Sequence, residues 1–278
     1  MIPERKAGFS TSRNRPQAGG STSLEMTNLV GSQNSSKIAI VAALEREVRP
    51  LVKGWPAERI LCGSGNLRLY TSDSAAAVCA GMGAGAARRA TEAVLARMTP
   101  SLVISAGFAR ALISDLRVGD IVIPAEVVDL EKKKSFPTLF GAGQLWTSSQ
   151  VVENSAPPEG LQLGECKGVD MEAAGVAEVA AARGLPFVAI KAISDEADFK
   201  MPPVGAFIRE DGGFRTAAFL LHISVRPRTW QSVAALAINS SLAAEKLCRA
   251  LQSFIEHQTF QGYDLNRELA RLADGAAR

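Results

Sequence analysis

The chain has 278 residues, enough to bury one large core, and its apolar fraction of 47% and charged fraction of 21% are those of an ordinary globular protein. A formal net charge of +3, with no basic run interleaved with aromatics, gives no footprint for nucleic acid. Four scattered cysteines (Cys62, Cys79, Cys166 and Cys248) and only two histidines argue against a zinc site, a histidine-rich metal centre and a disulfide framework, and fit a reducing, cytoplasmic compartment.

Residues 1–36 are rich in Ser, Thr, Asn, Gly and Arg and carry almost no apolar periodicity, so they are expected to form a disordered tail; Met26 is an alternative start within it. They contain no apolar core of a secretory signal, and no apolar run in the chain reaches the roughly 18–20 residues that span a bilayer. Order is expected from Lys37, where a continuously apolar run to Ala43 reads as a strand buried on both faces. Leu44-Glu-Arg-Glu-Val-Arg then opens a helix with acids in its first turn. Strands follow near 59–63, 67–71 and 75–80, then a glycine-rich turn and a helical pattern through Arg97. Further strands are expected at 101–105, 119–128 and 144–148, with an irregular stretch over 130–143. The reading ends with a helix over 171–183, a strand over 187–193, helices near 213–221, 228–238 and 240–256, and a C-terminal tail over 259–278. Strands alternating with helices, several of them apolar throughout, predict an α/β fold: a single domain over 37–258 with a central mixed β-sheet covered by helices on both faces.

In such a sheet ligands bind beyond the carboxyl ends of the strands. Four motifs fall there. Glu45-Arg46-Glu47 follows the first strand; its bland reading is a solvated first turn with Glu45 and Arg49 paired at i, i+4. Gly81-Met-Gly83-Ala-Gly-Ala matches a dinucleotide fingerprint, but the next strand ends Ser105-Ala-Gly without the acid that grips a ribose, which argues against a nicotinamide cofactor. Its glycines let a backbone approach a ribose, a phosphate or the next helix. Val169-Asp170-Met171-Glu172 opens an Ala-rich helix, and a carboxylate there suits the paired hydroxyls of a ribose; the plainer alternative is an acidic cap at Asp170. Finally, Lys191-Ala-Ile-Ser194-Asp195 runs a buried strand into an acid placed for proton donation.

Taken in order, these motifs resemble the nucleoside phosphorylase and hydrolase superfamily, and within it the 5′-methylthioadenosine/S-adenosylhomocysteine nucleosidases, over roughly residues 37–198. The resemblance implies a purine nucleosidase needing no metal or organic cofactor, acting on a small nucleoside and assembling as a homodimer. It assigns catalysis to Asp195, as donor to the purine N7, and to Glu47, as base for the attacking water. Glu172 would hold the ribose hydroxyls, Met171 would pack against the sugar, Ser194 would orient Asp195, and Val152, Phe108 and Gly83 would border the substrate. The family's water-site arginine is replaced by Lys191, and its Ser-Ala-Gly-Gly turn by Phe108-Ala-Arg110-Ala. Lys191 and Arg110, with Arg46, are therefore a candidate anion site that would make phosphate the nucleophile. Residues 199–232 extend beyond a minimal nucleosidase and resemble, more loosely, the hopanoid-associated phosphorylase branch acting on adenosylhopane. There Phe207, Phe214, Phe219 and Leu220 would line an apolar entrance. A non-enzymatic nucleoside-binding protein is the remaining alternative.

Overall fold

The computed structural model of the chain describes residues 37–63, 65–152, 166–209, 212–260, 263, 264 and 267; the tail expected over 1–36 lies outside them, as does Asp211. Strand β1 (Ile38–Ala42) lies between β4 (Ala75–Cys79) and β5 (Leu102–Ala111), and β5 lies beside β11 (Phe187–Asp195); all four run parallel. An antiparallel hairpin of β2 (Ala57–Cys62) and β3 (Gly65–Thr71) extends the sheet past β4.

The ten-residue β5 is where the sheet branches. Its whole length follows β11, while its last two residues also pair antiparallel with β10 (Cys166–Asp170), Val169 opposite Arg110 and Gly168 opposite Ala111. From β10 the sheet continues through β9 (Gln144–Thr147) and β7 (Glu126–Asp129) to β8 (Lys134–Pro137), and the short β6 (Ile121–Val122) closes against β11.

Side chains on a strand alternate between faces, and here both faces are dry. Ile38, Ile40 and Ala42 join a core with α1 (Glu45–Val52) and α5 (Trp230–His257). Ala39 and Val41 join the opposite core with α2 (Ala84–Leu95) and α3 (Ala173–Ala182). The fold is the expected helix-covered mixed sheet.

Five local expectations are corrected. The single strand predicted over 119–128 is two short ones, because Pro124 has no N–H to continue a ladder; the chain there changes partner from β11 to β9. The stretch expected to be irregular over 130–143 contains β8, which buries only Phe136. Strand β10 was not anticipated: Lys167, Gly168 and Asp170 interrupt its apolar run, and Asp170 ends a strand rather than opening a helix. The helices expected over 228–238 and 240–256 are one, α5, which continues through Asn239-Ser-Ser241, while α4 spans Thr216–Ser224. The expected C-terminal tail begins with a hairpin of β12 (Thr259–Phe260) and β13 (Tyr263–Asp264).

Helices α2 and α3 approach through small residues. A Cβ on Gly175 would sit 2.1 Å from the carbonyl oxygen of Ala84, so only a hydrogen fits. Gly175→Ala is expected to push the helices apart and destabilise the fold by about 1–3 kcal/mol, measured by denaturant unfolding.

Candidate active site

A cavity of about 490 Å3 opens at the carboxyl ends of the sheet, in the size range of small-molecule sites. Its walls include Glu47 from α1, Phe108 and Arg110 from β5, Val152 after β9, Met171 and Glu172 after β10, and Ser194 and Asp195 ending β11. These are eight of the ten residues singled out in the sequence. The other two stand just behind the wall: Gly83 is bonded to Glu172, and Lys191 is fully buried beside Asp170.

Glu47 is not a solvated acid of a helix's first turn. It is buried, and its Oε2 accepts the N–H groups of Ala43 (3.1 Å) and Leu44 (3.2 Å), so the carboxylate folds back over the turn leaving β1. Glu45 faces out and pairs with Arg68 rather than Arg49. Burial raises the Glu47 pKa, against the lowering effect of those amides and of Lys191. A Cβ on Gly107 would lie 3.1 Å from Glu47 Oε2 and 3.6 Å from Lys191 Nζ, so that glycine leaves room for the two side chains to converge.

Lys191 gives its charge to Asp170, Nζ to Oδ2 2.8 Å, with neither side chain exposed. Asp170 also accepts the Thr147 hydroxyl at 2.7 Å and the Ala173 N–H at 2.8 Å, so it caps α3 as well as receiving the ammonium. Burial opposes the charge on Lys191, yet the surrounding Asp170, Glu172 and Glu47 raise its pKa overall.

Glu172 turns toward the glycine loop, where its Oε1 accepts the Gly83 N–H at 2.8 Å. Gly83 adopts φ 95°, a conformation that aims this amide at the carboxylate and that side-chain-bearing residues avoid. The Gly81 N–H donates to Ala43 O and the Met82 N–H to Gly212 O, each at 2.8 Å, tying the loop to the turn after β1 and to the segment after β11. Burial first, then the charges of Asp170 and Glu47, push the Glu172 carboxyl up to about 8.

Asp195 accepts the Ser194 hydroxyl on Oδ1 at 2.7 Å and Arg110 on Oδ2 at 3.3 Å. Burial raises its pKa in spite of both donors. The second Arg110 nitrogen donates to the carbonyls of Ala197 and Phe199, each at 3.0 Å. Lys191 and Arg110, the cations of the anticipated anion site, are each engaged with a carboxylate. Arg46 remains at the rim, exposed.

Sequence reasoning missed the far wall. Met201, Val204, Ile208, Thr216, Leu236 and Ser240 join Phe214 and Phe219 there. Nothing in the spacing of residues 201–208 marks them as lining. Phe207 packs against Phe214 and Phe219, 6.4 and 5.3 Å between ring centres, while Leu220 faces away from the cavity.

The raised Glu172 pKa has a consequence for stability. The folded chain holds a proton on Glu172 that the unfolded chain releases near 4.5, so the stability present below that value is lost as pH rises through about 8. The melting temperature of the ligand-free protein is expected to fall across this window, and Glu172→Gln to flatten the fall, as scanning calorimetry at a series of pH values would record.

The profile of the phosphorylase superfamily matches residues 37–160 and 140–211. The 5′-methylthioadenosine/S-adenosylhomocysteine nucleosidase of Glaesserella parasuis serovar 5 is 30% identical over 200 residues, 58% of this chain and 86% of that protein. The enzyme of the same name from Anoxybacillus flavithermus is 30% identical over 197 residues, 57% and 84% of the two chains. Among solved structures, the Helicobacter pylori nucleosidase of that name, complexed with butyl-thio-DADMe-Immucillin-A, superposes with a TM-score of 0.59 at 19% identity, covering 81% of this chain and 99% of that one. Helicobacter pylori futalosine hydrolase gives 0.59 at 18% identity, covering 80% and 98%. Motifs, fold and profile agree: the chain belongs to the phosphorylase superfamily.

Proposed function

We propose that the protein is a purine nucleosidase that releases adenine from a 5′-substituted adenosine, with water as the nucleophile. The observation that carries this reading is the charge balance of the pocket. Glu47, Asp170 and Glu172 surround one ammonium, Lys191, which is already paired, and Arg110 is spent on Asp195. A phosphate dianion brought beside Glu47 would meet that carboxylate and find Lys191 and Arg110 already bonded to carboxyl groups, whereas a water molecule would find a base.

Cleaving the N-glycosidic bond leaves positive character on the ribose and negative charge on the departing base, so the site must hold the sugar, protonate the base and activate water. Asp195 supplies the proton to N7: burial favours its protonated form, and Ser194 and Arg110 stabilise the carboxylate left afterwards. Glu172, anchored by the Gly83 amide, accepts the ribose hydroxyls, and Met171 packs on the sugar. Glu47 takes the proton from water, and Phe108 and Val152 border the base. By resemblance to the nucleosidases the protein acts in the cytoplasm as a homodimer.

A second reading of the 5′ group is favoured by the far wall, where Met201, Val204, Ile208, Phe214, Phe219 and Leu236 are apolar. A bulky apolar 5′ substituent, as in adenosylhopane, would bury against them more favourably than methylthio.

Adenine release from 5′-methylthioadenosine, with and without phosphate, tests the reaction class. Free methylthioribose at equal rates in both conditions is expected. A phosphorylated sugar formed only with phosphate would make the protein a phosphorylase, and tight binding without release would make it a nucleoside-binding protein. Asp195→Asn should lower kcat by roughly 10²–10⁴-fold while substrate binding is retained; near-normal turnover would overturn the acid assignment. In a series of 5′-alkylthioadenosines, kcat/KM rising with chain length would favour the bulky apolar substrate, and a decline would favour methylthio.

A further inference from the structure

Helix α4 (TAAFLLHIS) is apolar around its whole circumference, yet only Phe219 is buried. Such a helix normally lies inside a protein or against lipid. Its outward side chains continue onto the next turn and α5: Leu221 is 71% exposed, Val225 70%, Leu220 55% and Trp230 54%. Leu220, Ile223, Trp230 and Val233 border a shallow apolar groove between the two helices. The Trp230 indole N–H donates to Ile223 O at 2.8 Å, so the ring is held in place with its polar atom satisfied and its body outside.

The charge carried by residues 212–244 is of one sign. From Gly212 to Ala244 there is no Asp or Glu, while Arg215, Arg226 and Arg228 are all exposed. That pattern separates the possible occupants. In a two-fold contact the same patch meets itself, which would bring the arginines of two copies together with no acid from this stretch to neutralise them. An anionic bilayer offers apolar depth for Leu221 and Val225, an interfacial level for Trp230 and phosphates for the arginines. At nine residues α4 is too short to cross a membrane, and no described helix is long and apolar enough to do so.

We propose that α4 and the start of α5 form a docking face for the surface of an anionic membrane. The same helices wall the cavity from the inner side, through Thr216, Phe219, Leu236 and Ser240. Docking therefore sets the wall of the cavity next to the lipid headgroups. This placement depends on exposed residues outside the reactive group and stands whichever nucleoside is cleaved.

The test is cosedimentation of the full chain with vesicles of phosphatidylcholine alone and of an equal mixture with phosphatidylglycerol, at low and high salt, alongside light scattering without lipid. Binding to the anionic vesicles, weakened by salt, is expected. Arg228→Ala and Arg215→Ala should each weaken it roughly fivefold, and Leu221→Asp more than tenfold, with circular dichroism and adenine release from a soluble nucleoside unchanged. No vesicle binding, binding indifferent to lipid charge, or binding that survives Leu221→Asp would overturn the proposal. A dimer seen by light scattering that Leu221→Asp dissociates would also overturn it, assigning the face to a second copy.

Discussion

Lys191 is the point on which the site is balanced. It is an ammonium with no exposed surface, at the centre of the sheet, and its partner Asp170 is equally dry. An isolated charge at that depth would be too costly to keep, so the pair is held only because Asp170 is fixed from two further directions, by Thr147 and by the first amide of α3. This couples three pieces of chain far apart in sequence: the end of β9, the junction of β10 with α3, and β11. Glu47 and Glu172 then project from that frame into a dry site, where burial raises the pKa of both and, for Glu172, the charges of Asp170 and Glu47 add to the shift. Two buried carboxylates of raised pKa flanking one paired cation suit an enzyme that moves protons more than one that grips anions.

The sheet explains how these groups meet. Because β5 changes neighbours along its length, its end faces β10 on one side and β11 on the other, and Arg110 stands where the two meet. Gly107, without a side chain, leaves the space into which Glu47 and Lys191 converge. The polar side chains of the cavity are thus placed mainly by backbone register and by the turns after four strands, with Met201, Val204, Ile208 and Phe214 contributing apolar wall.

Much of this was legible in the residues. Apolar runs such as Lys37–Ala43 and Phe187–Ile193 announce strands covered on both faces, and the acids that end them stand where chemistry collects in such folds. The bond between Asp195 and Ser194 does not follow from adjacency, since neighbours on a regular strand face opposite ways; the register of β11 shifts between Ile193 and Asp195. Partner choice was not legible. Nothing in the sequence distance between Arg110 and Asp195, or between Asp170 and Lys191, reveals that each cation has a carboxylate beside it; the first pair depends on β11 running beside β5, and the second on β10 inserting next to β5, and β10 is too polar and short to be seen by periodicity. The change of partner at Pro124 and the continuity of α5 past Asn239 were hidden for the same reason: tertiary pairing overrides a local signal.

Arg110 touches more than the acid. Its other nitrogen holds the carbonyls of Ala197 and Phe199, the first residues of the segment that goes on to form the apolar wall. If that segment withdrew, the guanidinium would lose two of its three acceptors and keep only Asp195. With the segment seated, the guanidinium is shared among three oxygens, and the Asp195 pKa stays raised by burial. A single side chain thus ties the carboxyl group at the end of β11 to the stretch of chain that leads into the apolar wall.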